Sequence, residues 1–239
     1  MKSIKVSTVL FSLVLAALPS LRAADIIGTI TFKGTPPKEI PLTAMESSPD
    51  CMAMHKTLPT TQHYVIGAKG ELANVTVSLK DADGKAITGK STGASAAPAM
   101  LDQKGCLYTP TILAIQTGQK LLVRNSDSCI HNVHTTSTAG NTDHNDAQMA
   151  GAPDLTYTFD KPEMYLTFRC DVHPWMFAWV SIFDNPYFCV SGTDGKFVIK
   201  NVPPGKYTVV ANHRKFGEQT QVVTVSDKDV TVDFTFEAK

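Results

Sequence analysis

The chain has 239 residues, 43% of them hydrophobic, and its 22 Lys and Arg are balanced by 22 Asp and Glu. This balance leaves no basic footprint for nucleic acid and no polybasic patch for a membrane surface. The length suits one large domain or two small ones.

Residues 1–23 carry Lys2 and Lys5, a short apolar run from Val9 to Leu18, Pro19, and then Ala23 before Ala24. That is the layout of a secretory signal peptide, and the apolar run is about half of what a membrane span needs. The expectation is cleavage near Ala23, a periplasmic or secreted mature chain, and no stable membrane span afterwards. An uncleaved N-terminal anchor is the alternative.

Alternating apolar runs follow at Ile26–Phe32, Asn74–Lys80, Thr111–Ile115, Lys120–Arg124, Tyr157–Phe159, Met164–Cys170 and Ala178–Phe183. The tail adds Phe197–Lys200, Lys206–Ala211, Gln219–Val225 and Val230–Phe236. Short strands with Gly, Pro, Asn and Asp punctuation, and no long helical period, predict an all-β sandwich or barrel. Three zones read as loops: Thr35–Thr61, with five prolines and the cluster Cys51-Met-Ala-Met-His55; Gly89–Ala99; and the polar stretch Ser137–Pro153.

Asp184-Asn185-Pro186 is the expected domain boundary. Beyond it, SGTDGKFVIKNVPPGKYTVVA alternates turn and strand as a β-meander does. This stretch resembles the immunoglobulin-like modules related to the carboxypeptidase regulatory domain, which are typically non-catalytic. The expected division is a 24–95 N-terminal β/loop segment packing on a 96–184 domain, then a 185–239 β module.

Residues 84–91, GKAITGKS, fit the phosphate-loop pattern formally. The pattern has meaning only where its loop opens a helix whose amides face the phosphates, and TGASAAPAM is no helix. We read it as a loop and expect no nucleotide.

Cys170, His173 and Met176 lie at equal intervals in a short loop between two predicted strands, and Pro174 forbids a regular helix through it. Half of a disulfide plus packing residues is one reading, and a soft-metal site is the other. Thiolate and imidazole select copper or zinc, and a thioether tilts the choice to copper. Such a site needs a second histidine from another strand, and Lys120–Arg124 runs on to His131 and His134.

The pair Ile130-His-Asn-Val-His134 and Cys170-Asp-Val-His-Pro-Trp-Met176 closely resembles the cupredoxins, with the short ligand loop most like the amicyanin type. The resemblance covers roughly residues 96–184 and implies a Greek-key β-sandwich holding one copper ion. It implies His131, Cys170, His173 and Met176 as ligands, and Asn132 as the residue tying the two ligand loops together. His134 is expected beside the site rather than on the metal. The whole chain is similar to bacterial exported cupredoxin-like proteins of the methylamine-utilisation type, from which plain cupredoxins differ by lacking the N-terminal segment and the C-terminal module.

The function so implied is one-electron transfer to redox protein partners docking near His173, over an apolar patch of Pro174, Trp175 and Phe177. Copper storage, delivery or sensing, with Met52, Met54 and His55 as a second soft site, is the alternative. No Ser/His/Asp set, carboxylate pair or nucleophilic cysteine suggests an enzyme. His144 reads as solvated, and His63 and His213 as isolated. With Cys170 reserved for metal, four cysteines remain and allow three connectivities. Cys51–Cys106 and Cys129–Cys189 are the expected bridges.

Overall fold

Strands alternate with turns through nearly the whole of the computed structural model, which describes residues 22–238. The signal-peptide expectation therefore lies outside the described residues except for its last two. Among the described residues no helix is long and apolar enough to cross a membrane. The first third of the chain supplies β1 (Ala24–Lys33), a short helix α1 (Pro49–Ala53) and β2 (Val75–Lys80). The middle supplies β3 (Ala99–Gln103), β4 (Tyr108–Thr109), β5 (Ile112–Gln116), β6 (Leu121–Asn125) and β7 (His131–Thr136). It continues with β8 (Asn145–Gln148), β9 (Leu155–Tyr157), β10 (Glu163–Arg169) and β11 (Phe177–Phe183). The last third supplies β12 (Phe188–Val190), β13 (Lys196–Val202), β14 (Gly205–His213), β15 (Gly217–Val225), β16 (Val230–Thr231) and β17 (Phe234–Glu237).

The middle strands form two sheets, in the orders β5-β11-β10-β7-β8 and β4-β3-β6-β9. Each presents one apolar face: Leu166, Phe168 and Val180 from the first meet Leu101, Leu121 and Val123 from the second in one buried cluster. Alternation along the strands produces this, because successive side chains point to opposite faces. The first sandwich is thus built on hydrophobic burial, at roughly 1.5–3 kcal/mol for each fully buried large side chain.

The second sandwich is discontinuous. Its sheets run β13-β1-β16, with β17 also on β1, and β12-β2-β14-β15. The strand β1 pairs with β13 antiparallel and with β17 in parallel, while β2 lies between β12 and β14. Ile26, Ile30, Phe32, Val75 and Val77 share one core with Phe197, Ile199, Val209 and Phe234. This corrects the expectation that 24–95 packs as a unit on the copper domain. Its two strands complete the C-terminal module, and only its middle joins the first core, through Met45 and Cys51. The physical reason is that the strands of residues 185–239 present apolar faces that β1 and β2 cover. At Gly28 an added Cβ would lie 1.8 Å from the Val232 carbonyl oxygen, so only glycine lets that segment cross β1 so closely.

Other boundaries moved as well. The strand β8 lies in a stretch read as loop; its sequence NDAQ has no apolar alternation, and β7 recruits it by pairing. Phe159, read as a strand end, is a buried core residue beyond β9. After residues 84–91 comes only a 3-10 turn, Gly93–Ser95, and the Gly89 amide donates to the Asp184 carboxylate at 2.6 Å.

Glu163, buried at the start of β10, accepts hydrogen bonds from the Thr138 amide and from the side chains of Ser137, Thr138 and Asn141. Burial alone would raise its carboxyl, but these donors outweigh burial and hold it below the ordinary value. Its contribution to stability is therefore complete above the unfolded value of about 4.3 and is lost as pH falls through the lower folded value. Glu163→Gln should cost about 1–3 kcal/mol at pH 7 and flatten the acid limb of denaturant midpoint against pH. A variant that keeps the full acid limb would assign that limb to other groups. Ending the chain after Asn185 removes every strand partner of β1 and β2. We expect that truncation to be aggregation-prone, with the amides of residues 24–33 and 75–80 unprotected in hydrogen exchange, and protected amides there would contradict the discontinuous core.

Candidate metal centre

Three strand ends converge on the site. The strand β10 pairs with β7 and β11, both antiparallel, with Arg169 opposite His134 and Phe177. This register puts the first residue of β7, the residue after β10 and the residue before β11 at one end of the sandwich. They are His131, Cys170 and Met176. The Cys170 amide donates to the Met176 carbonyl at 3.2 Å, and the Met176 amide to the His173 carbonyl at 2.9 Å, which closes the intervening loop tightly.

His131 and Met176 are fully buried, Cys170 and His173 nearly so. The two Nδ1 atoms of His131 and His173 stand 3.0 Å apart, and Cys170 Sγ is 3.7 Å from His173 Nδ1. One nitrogen from each imidazole and the sulfur all lie within 4.8 Å of one another, so the three groups could hold a metal ion. Nitrogen at about 2.0 Å and sulfur at about 2.3 Å from a common ion are compatible with these separations. Met176 lies in the same buried cluster as Cys170.

Hydrogen bonds orient these groups. His131 Nε2 faces Asp127 Oδ2 at 2.9 Å. An ionised carboxylate only accepts, so Nε2 carries the proton and Nδ1 turns toward Cys170 and His173. The same carboxylate accepts from the amides of Gly105 (2.6 Å) and Cys106 (2.7 Å). Burial would raise the Asp127 carboxyl, yet the His131 bond and the two amides hold it below its usual range. The Asn132 amide donates to Cys170 Sγ at 3.3 Å, and the Asn132 side-chain oxygen accepts from the Asp171 amide at 3.2 Å. Burial would likewise raise the Cys170 thiol; the His131 contact and the amides of Asn132, His173 and Val172 outweigh it, leaving the thiol below its ordinary value. For His173, burial and then His131 push the imidazole down.

His134 faces away from the three donors and engages Asp171 Oδ2 at 2.7 Å and the Arg169 guanidinium at 3.0 Å. The Tyr108 hydroxyl donates toward the Asn132 carbonyl (2.9 Å), with the Arg169 carbonyl 3.3 Å away, and so bridges the two ligand-bearing strands. Of the patch residues, Pro174 and Phe177 are exposed. Trp175 is half-buried and donates its indole N–H to the Cys106 carbonyl at 3.0 Å.

The Cys51–Cys106 bridge is present. The expected Cys129–Cys189 bridge is not, and both thiols are free. Cys129 sits at the metal end, 3.8 Å from Cys106 Sγ and 3.7 Å from His131 Nε2. Cys189 lies in β12 opposite Val77, against the second core, where burial pushes its thiol up to about 12. Counting cysteines could not separate these environments. His55 turns Nε2 to the Gly105 carbonyl at 2.7 Å, while Met52 packs on the first core and Met54 is exposed. His144, read as solvated, is half-buried with its ring centroid 4.4 Å from that of Tyr157, the planes tilted by 40°. Asp127 and Cys129 were not legible as site residues; the run Ser-Asp-Ser-Cys before the first histidine offers only its proximity.

A carboxypeptidase regulatory-like domain model matches residues 177–237. That stretch begins inside β11 of the first sandwich and omits β1 and β2 of the second. No curated protein sequence matches the chain. Similar solved structures include the copper-containing nitrite reductase of Thermus scotoductus (17% identity, TM-score 0.34), covering 43% of this chain but only 26% of that one. The purple cupredoxin of Nitrosopumilus maritimus (20%, TM-score 0.30) covers 35% of this chain and 98% of its own. An oxidised amicyanin variant (19%, TM-score 0.32) covers 44% of this chain and 97% of its own. Similarity at this level carries no functional argument, and the case for a metal rests on the side chains.

The bridge closes 55 residues, for which chain entropy predicts a stabilisation of about 4 kcal/mol. In Cys51→Ser the freed Cys106 is left beside Cys129. We expect non-reducing peptide maps of that variant to contain a Cys106–Cys129 bridge, whereas recovery of both as free thiols would show that the two side chains do not meet.

Proposed function

We propose that this protein is an exported mononuclear blue-copper protein, not an enzyme, that carries single electrons between redox protein partners. Copper would be held by His131, Cys170 and His173, with the Met176 thioether as a weaker fourth donor. The observation that carries this reading is the buried set of two facing Nδ1 atoms and one thiol, with His131 and Cys170 at strand ends and held by Asp127 and the Asn132 amide, and His173 brought to them by the short loop between β10 and β11. A Cys–His₂ set with a thioether beside it is the donor combination of electron-transfer copper, and a structural zinc site would have no use for the methionine. Copper bound there would supply one-electron cycling between Cu(II) and Cu(I).

The chain's own contribution is to keep those donors still. Asp127 fixes the His131 ring, and the Asn132 amide donates to the Cys170 sulfur, whose thiol is held below its ordinary value against burial by the His131 contact first and that amide next. Rigid donors keep the geometry alike in both oxidation states, and hydrogen bonds to the thiolate tune the potential. Water is excluded because all four donor residues are buried. Partners would dock over Pro174, Trp175 and Phe177, where Phe177 is 38% exposed and the Trp175 ring centroid lies 5.2 Å from that of the buried His173. The second sandwich is a non-catalytic module.

Titrating Cu(II) into the purified protein should yield one tight copper per chain and an intense thiolate-to-copper band in the visible, bleached on reduction. Cys170→Ser should abolish the band, and Met176→Leu should keep it while raising the reduction potential. A colourless complex of the intact protein would sink the reading. Two or more tight copper ions per chain would favour copper handling instead.

A further inference from the structure

Between the two sandwiches, beside the ligand loop, lies a half-open cleft of about 310 Å³. Small-molecule sites begin near 300 Å³ and combine apolar walls with a few convergent polar groups. One wall is aromatic: Trp175, Phe177 and Trp179 all line it, and these are the only two tryptophans of the chain. Phe177 and Trp179 lie within 9° of parallel, with centroids 6.1 Å apart.

The cleft also carries two cations. Arg214 and Lys215, from the turn after β14, line the cleft, and the Arg214 guanidinium lies 3.6 Å from the Trp179 ring centroid. Arg214 is half-buried, and among the described residues neither cation has a carboxylate partner or a side-chain hydrogen bond. A guanidinium that still reaches solvent and that no carboxylate neutralises leaves its fork of donors open to an anion. The local field agrees. Burial first, then Lys215, push the His63 imidazole on the cleft wall down, with Arg214 adding to them and Glu39 opposing. Glu39 itself is engaged by the amides of His63 and Tyr64 and by the Thr61 hydroxyl.

We propose that this cleft is a binding site for a small planar aromatic carboxylate. Its ring lies against Trp175 and Phe177, and its carboxylate takes the two-pronged hydrogen bond that the Arg214 fork offers. Arg214 is the specificity-determining residue, and Lys215 adds charge at the rim. The site does not depend on whether the neighbouring loop binds copper.

The test is a titration of the ¹⁵N-labelled full-length chain, metal-free and again with Cu(I), using 2-naphthoate as probe. Both indole N–H signals come from residues that line the cleft, and because Trp175 also neighbours His173, each metal state is titrated against its own starting spectrum. Saturable shifts of both signals are expected, at least tenfold weaker in Arg214→Gln, with the neutral 2-naphthalenemethanol at least tenfold weaker on the unaltered protein. Absence of a saturable shift, equal affinity for acid and alcohol, or undiminished affinity in Arg214→Gln would each overturn the proposal. The acid-against-alcohol comparison needs no variant and decides the matter even if Arg214→Gln fails to fold.

Discussion

The metal end of this protein depends on one buried carboxylate. Asp127 gathers the Gly105 and Cys106 amides and the His131 Nε2 proton onto two oxygens. In doing so it ties the disulfide-bearing loop before β4 to the first residue of β7. Without that acceptor the His131 ring has no fixed proton position, and its Nδ1 has no reason to face Cys170. The carboxylate stays ionised although buried, because three donors outweigh the desolvation that would neutralise it. A charge so held organises a site only when every neighbour is in place, which is why the Cys51–Cys106 bridge, the Trp175 indole and Asp127 all converge on the same short loop.

The second dependence is topological. The strand β1 opens the described chain and β2 follows some forty residues later, yet both complete the sandwich formed by the last third. The chain passes through the second sandwich, makes the whole of the first, and returns. The loop between β1 and β2 covers the first core with Met45 and Cys51 on the way. The second core closes only with chain from both ends of the sequence, and the turn after β14 carries Arg214 to the cleft beside the ligand loop.

What the sequence made legible follows from the same physics. The donor spacing Cys170, His173, Met176 is local, so a reader of the sequence sees it directly; the antiparallel register that brings His131 to it is predictable once both are strand ends. Alternation gave the all-β class for the same reason. The partners of β1 were not legible because apolar alternation says that a face is buried but not against what, and the pairing spans most of the chain. The strand β8 escaped because its polar residues are held by pairing rather than by a core face. Cysteine arithmetic assigned Cys51–Cys106 and misassigned Cys129 and Cys189, since counting thiols carries no distance. Asp127 carries no periodic signal; its role comes from the amides that reach it.

One thiolate and two imidazoles meeting a single copper ion, as proposed, would leave a direct spectroscopic signature. X-ray absorption at the copper edge measures that directly on the copper-loaded full-length protein. One short sulfur scatterer and two imidazole nitrogens are expected, with the sulfur lost in Cys170→Ser. A shell with no short sulfur, or one containing two, would contradict it.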